Sequence, residues 1–288
     1  MHSFKKVVLC ACSNFRKWKF SARVYMVGLT VLIFGFWSVA DISQYAASRG
    51  LGVTPWLLSG YYFMPTLLSV YGFLVIMLFS NAPFADSHAP FLVVRTGRLP
   101  WILGQILYIF LAAFLLVFLH FCMIILLCLP NVGFSSDWGT IIRSIAIDPS
   151  LAGMSTILVN SEMVGAFTGP EATLLTMLLM WLVAVFLGAV VFAFNIISGK
   201  NTGIVIAGFF VFISFFSNYM GQLVFGSWLQ YIAPVNWCSL YGLSWNGNST
   251  LPGIPYAISV LSIGSIVLFI LSGVIYCKKD MVFRKEEL

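Results

Sequence analysis

Residues 95–129 read RTGRLPWILGQILYIFLAAFLLVFLHFCMIILLCL. Two arginines and a proline precede an apolar run, 102–129, that contains no lysine, arginine or acid and one histidine, His120. About 20 mainly apolar residues cross a hydrocarbon core of about 30 Å, so this run predicts a transmembrane helix. It is longer than the core requires, and it is expected to tilt or protrude. Further apolar runs lie near 24–40, 61–79, 171–198, 204–224 and 256–276. Threaded alternately from a cytosolic N-terminus, they place 13 of the 15 Lys and Arg residues on one side, with only Arg49 and Arg143 opposite. Basic loops resist translocation. The expected fold is therefore an all-α membrane protein of six transmembrane helices, multi-pass in the plasma membrane, with cytosolic N- and C-termini.

Composition agrees. Apolar residues make up 60% and charged residues 8% of the 288 residues, against roughly 25% charged in an ordinary soluble domain. Loops are short, and 1–288 reads as one transmembrane domain. The formal charge of +6 reports orientation and contact with anionic headgroups, not nucleic-acid binding. The first 23 residues carry six basic side chains and no long apolar core ending in small residues, so no cleavable signal is expected there. The six cysteines form no CxxC pair, and Cys122 and Cys128 read as apolar packing residues.

Residues 3–20 precede the first span. Phe4, Val8, Ala11, Phe15 and Trp18 recur at helical spacing, with Lys5, Ser13, Arg16 and Lys17 around them. The pattern predicts an amphipathic helix lying in the inner headgroup boundary. Tyr61 and Tyr62 are expected at the outer interface, where a phenol ring meets both water and lipid.

The loop from Asn81 to Pro100 reads NAPFADSHAPFLVVRTGRLP. Pro90 is placed to open a short helix through Val94, presenting Phe91, Leu92, Val93 and Val94 ahead of Arg95 and Arg98. Apolar residues exposed in a polar loop mark either an interaction surface or a segment dipping into lipid. On the opposite side, residues 138–145 predict a short interfacial helix. The aromatic stretch 225–245, with Pro234 at its middle, predicts a segment lying at the interface or re-entering it. Asn248-Ser-Thr matches a glycosylation acceptor, a common tripeptide.

Chemistry is sparse. Asp86, Ser87 and His88 are consecutive, so their side chains diverge and no catalytic triad follows. No GxxxxGK[ST] phosphate loop and no HExxH motif occurs. Among the spans only His120, apart from Glu171 at an outer edge, is ionisable in the sense an ion-driven carrier needs, and a lone histidine among Phe118, Leu119 and Phe121 reads first as a packing residue. The expectation is no catalytic residue, no metal and no energy source within the chain.

The order of these features resembles the permease subunits of ABC-2 type exporters, in particular bacterial permeases whose ATPase is a separate polypeptide. The matching features are a basic amphipathic helix, two spans and a Pro-rich cytosolic loop ending Arg95-Thr-Gly-Arg-Leu-Pro-Trp-Ile-Leu-Gly-Gln. A long third span, close-set fourth and fifth spans and Ala233-Pro-Val-Asn-Trp before the sixth complete them. The resemblance implies a coupling element for the ATPase at 81–98, with Asn81, Phe84, Asp86, Phe91, Arg95 and Arg98 as its residues. It implies a substrate path touching Tyr71, Phe215, Phe216 and Asn218. It also implies a second permease copy, as homodimer or heterodimer, membrane lipid around both, and ATP with Mg held by the ATPase partner. With aromatic residues at 16%, the expected cargo is amphipathic or hydrophobic: a peptide or toxin, a drug or a lipid. A self-sufficient carrier using His120, and a non-transporting scaffold or immunity protein binding through 225–245, are the alternatives.

Overall fold

The computed structural model describes residues 2–85, 89–129, 131–199, 201–245, 247 and 250–278. These residues are mainly helical; among them pairing of strand type is limited to the isolated bridges Val53–Val132 and Ser244–Gly253. Five helices are long and apolar enough to cross a membrane. They are α2 (Ala22–Arg49), α6 (Arg98–Leu127), α9 (Gly169–Ser198), Thr202–Gly221, which is α10 (Thr202–Phe216) closed by a π-helical turn, and α12 (Ile254–Lys278). Helix is forced on such segments, because hydrocarbon offers no water to an unpaired backbone group. Shorter helices are α1 (His2–Arg16), α3 (Leu58–Tyr61), α4 (Pro65–Phe79), α5 (Ala89–Thr96), α7 (Gly139–Ile147), α8 (Ser161–Ala166) and α11 (Gln222–Phe225).

The expected span at 61–79 is shorter in the structure. Pro65 stands at the N-terminus of α4, whose 15 residues extend about 22 Å. It still returns the chain to the end where α2 begins, since Arg23 donates to the Ser80 hydroxyl at 2.9 Å. The first span is longer than its apolar run. No breaker follows Ala40, so α2 continues through Asp41 to Arg49 and stops at Gly50, whose φ of 64° closes the C-terminus.

Helix α9 is the central post: 67% of its most apolar window is buried, against 22% for α12. It packs on α4, α6, α10 and α12. A Thr168–Glu171 capping box and Pro170 start it. Small residues along it admit close neighbours: at Gly188 an added Cβ would lie 2.8 Å from Ile109 and 3.0 Å from Phe79. At Gly203, opening α10, a Cβ would overlap the Val191 backbone of α9.

Two expectations about side chains change. The face that α1 buries is Val7, Cys10, Ala11 and Asn14, while Phe4 is 72% exposed. The stripe is rotated because α1 lies along α6, where Gly104 leaves a notch for Cys10 and Gln105 accepts a hydrogen bond from Asn14. Residues 17–20 form a separate 3-10 turn. Tyr61 and Tyr62 are buried, edge-on to each other at 4.8 Å, with Tyr62 also 5.4 Å from Tyr71. The turn between α3 and α4 points them into the bundle rather than toward the interface.

The 225–245 segment is three 3-10 turns, Ser227–Ile232, Pro234–Cys238 and Leu240–Gly242. All five residues of the middle turn are buried, against α4, α9 and α10. The α9–α10 contact supplies a test. Gly203→Ala is expected to cost about 1–3 kcal/mol through overpacking, read as a lower melting temperature in detergent. Gly208→Ala, with nothing within 4 Å of its added Cβ, is expected to be neutral or to stabilise by up to about 1 kcal/mol.

Candidate functional site at the basic end of the bundle

The segment between α4 and α6 is held from three sides. After α4 the chain turns on Ala82 N–H to Phe79 O (2.9 Å) and Phe84 N–H to Asn81 O (2.7 Å). Phe84 then adopts φ 61°, a left-handed conformation that costs a residue with a Cβ of order 1–3 kcal/mol. Its ring is the compensation. It is buried, edge-on to Tyr108 at 4.7 Å and 6.4 Å from Phe79. Lys17, from the turn after α1, donates to the Phe84 carbonyl at 3.1 Å.

Asn195, near the end of α9, does two tasks. Its amide nitrogen donates to the Ala82 carbonyl and its oxygen accepts from Gly203 N–H, each at 2.8 Å. One buried side chain thereby joins the loop, α9 and the start of α10. Between this loop, the α1 end and α9 lies a cavity of about 830 Å³, lined in part by Asn14, Lys17, Arg23, Ser80, Tyr108 and Asn195.

Pro90 lies in the first turn of α5, as expected. Ala89 and Val93 are buried, whereas Phe91 and Val94 are 73% and 81% exposed, with Arg95 exposed beside them. Spacings of three and four place Phe91, Val94 and Arg95 on one helical face. Gly97 (φ 93°) turns the chain directly into α6, and Arg98 donates to the Cys277 carbonyl of α12 at 2.8 Å.

Of the expected coupling residues, the structure brings Phe91 and Arg95 together on an open face, with Asn81 also exposed. Phe84 is turned inward, its ring edge-on to Tyr108 from a left-handed backbone. Arg98 is half-buried at the α6–α12 junction. Asp86, with Ser87 and His88, lies outside the described residues, as do Lys200, Asn248, Lys279, Arg284 and Lys285.

Of the expected path residues, Phe215, Phe216 and Asn218 lie together at the end of α10 and Tyr71 lies on α4. Tyr71 is buried and donates to the Met180 carbonyl at 2.9 Å, so it belongs to the interior of this chain. Phe215 is 38% exposed and packs on Tyr219 at 4.6 Å. Phe216 stacks on Phe212 at 6.1 Å. Asn218 sits in the π-helical turn (Ser217–Gly221) and donates to the Asn236 side chain at 2.8 Å. His120 is buried, with Nδ1 2.8 Å from the Leu116 carbonyl and its ring 5.6 Å from Tyr71.

The sequence reading missed the side chains that hold these places. Asn195, Gln230 and Asn236 are buried and hydrogen-bonded. For Asn195 an amide inside an apolar run was the available signal, since hydrocarbon tolerates one only with partners. Asn195→Ala would leave the Ala82 carbonyl and the Gly203 amide unpaired, about 1–3 kcal/mol each, and faster amide exchange at the start of α10 would report it. Phe84→Ala is expected to cost about 3–5 kcal/mol, whereas Phe91→Ser should change melting by less than about 0.5 kcal/mol. Comparison of the chain with protein-family models, curated proteins and solved structures found no match.

Proposed function

We propose that this chain is the transmembrane subunit of an ATP-driven ABC-2 type exporter that crosses the plasma membrane six times, with both termini and the α5 segment in the cytosol. Helix α4 supplies the sixth crossing, and the 13-to-2 split of basic residues supports the orientation. The observation that carries the reading is the open Phe91–Val94–Arg95 face. It stands on a loop whose near side is tied to α9 and α10 through Asn195 and whose far side runs straight into α6. A helix with a free outer face and a fixed inner one suits the receipt of force from a partner. The chain has no phosphate loop, so ATP and Mg belong to that partner, an ATPase.

In this reading two permease copies face each other, and nucleotide-dependent contacts at α5 bias their inward- and outward-open populations. Cargo is amphipathic or hydrophobic, in keeping with the exposed aromatic face of α10, Phe209, Phe212 and Phe215.

The test is the double variant Phe91→Ser, Arg95→Glu, purified beside the unaltered chain. The expected outcome is loss of a co-purifying ATPase and a fall in transport-coupled ATP turnover of at least tenfold, with melting unchanged. Unchanged recruitment and turnover would remove α5 from the coupling role. An unaltered chain that purifies without any ATPase in lipid discs would remove the exporter reading.

A further inference from the structure

We propose that the groove between α6 and α12 is a binding site for a phospholipid with an anionic headgroup. Its walls carry Leu103, Ile106 and Phe110 from α6 and Ile266, Ile270 and Val274 from α12, with Gly273 at its side, enclosing about 560 Å³. That volume lies within the range of small-molecule sites, about 300–1,000 Å³. The lining is almost wholly apolar.

The dimensions select an acyl chain. The α6 wall runs from Leu99 to Phe110 and the α12 wall from Ile266 to Cys277. Each is eleven residue steps, about 16 Å at the helical rise, which matches half of a hydrocarbon core of about 30 Å. At the end away from Arg98, Phe110 meets Phe269 at 5.7 Å and Trp181 at 5.8 Å. One leaflet's worth of chain fits, and no more.

The open end selects the headgroup. Arg98 sits there, bound to the Cys277 carbonyl at 2.8 Å, and Lys278 is exposed one residue beyond Cys277. Trp101 stacks on Tyr276 at 4.9 Å, an aromatic pair at the depth where such rings meet headgroups. Among the described residues the carboxylates, Asp41, Asp137, Asp148, Glu162 and Glu171, belong to the far ends of the helices and the loops between them. Basic side chains at the mouth of an interhelical groove attract an anionic headgroup. The inner leaflet follows from the orientation proposed above; the site itself does not depend on an ATPase.

The experiment is a lipid titration of the delipidated, detergent-solubilised full chain, with bound lipid counted by native mass spectrometry. Phosphatidylglycerol and phosphatidylcholine of identical chains are the probes. The expected result is a phosphatidylglycerol preference on the order of tenfold or more, the scale of two basic side chains near an anionic surface. Lys278→Gln should reduce that preference by several fold, and Arg98→Gln likewise. Gly273→Phe should reduce binding of both lipids, and it should fold, since nothing lies within 4 Å of a Cβ added at Gly273. Equal binding of the two lipids by the unaltered chain would overturn the site. So would a preference unchanged in both Lys278→Gln and Arg98→Gln. Lipid binding undiminished in Gly273→Phe, or a changed oligomeric state in its place, would assign the groove to protein contact and overturn the proposal. A chain that binds phosphatidylglycerol here yet recruits no ATPase would sink the exporter reading and leave this one standing.

Discussion

Apolar side chains cannot drive helices together where the solvent is itself apolar, so this bundle depends on close approach along α9. Its glycines, alanines and threonines let four neighbours come near enough for dispersion and backbone contact to hold them. Gly188 admits Ile109 and Phe79, and Gly203 lets α10 rest on the backbone at Val191. Everything at the basic end inherits its position from these contacts, because the loop after α4 is fastened to the last turns of α9.

The second constraint is that a backbone group at membrane depth must find a partner. The 3-10 turns between α11 and α12 meet it in part with side chains that also bond one another, the Gln230 amide donating to the Ser217 carbonyl at 3.3 Å. Asn236 donates to Ser217 Oγ at 2.8 Å and to Gln230 Oε1 at 2.9 Å, while Trp237 Nε1 donates to the Gln230 carbonyl at 2.9 Å. Ser214 Oγ accepts from the Val235 amide at 3.2 Å. Each such bond is worth well under 2 kcal/mol in a membrane. Together they fix the 3-10 segment against the π-helical turn that closes α10.

Helix α5 packs on α6 by one face. Its inner residues, Ala89 and Val93, are buried; its outer ones are open. The Ala82 carbonyl and the Gly203 amide both bond Asn195, so one side chain joins the loop after α4 to α9 and α10. The α6–α12 groove is separate. Among the described residues its lining comes from α6 and α12, so lipid there would sit at the junction of those two helices.

What the sequence determined by itself was whatever depends on length, apolarity and charge counted along the chain. The run at 102–129 had to be a helix, and Pro90 opens α5 where its fixed φ allows. What it left open depended on neighbours. Apolarity ends at Ala40, yet α2 continues to Arg49 because helix needs no apolar side chains where partners such as Met154, whose N–H bonds Asp41 at 2.7 Å, take up its polar ones. The buried face of α1 was set by a notch at Gly104 on another helix. Phe84 reads as an exposed aromatic until its backbone turns left-handed, and Tyr61 and Tyr62 read as interfacial until α3 swings them inward. Periodicity and charge are properties of the chain alone; the direction in which a side chain finally points is decided by the surface packed against it.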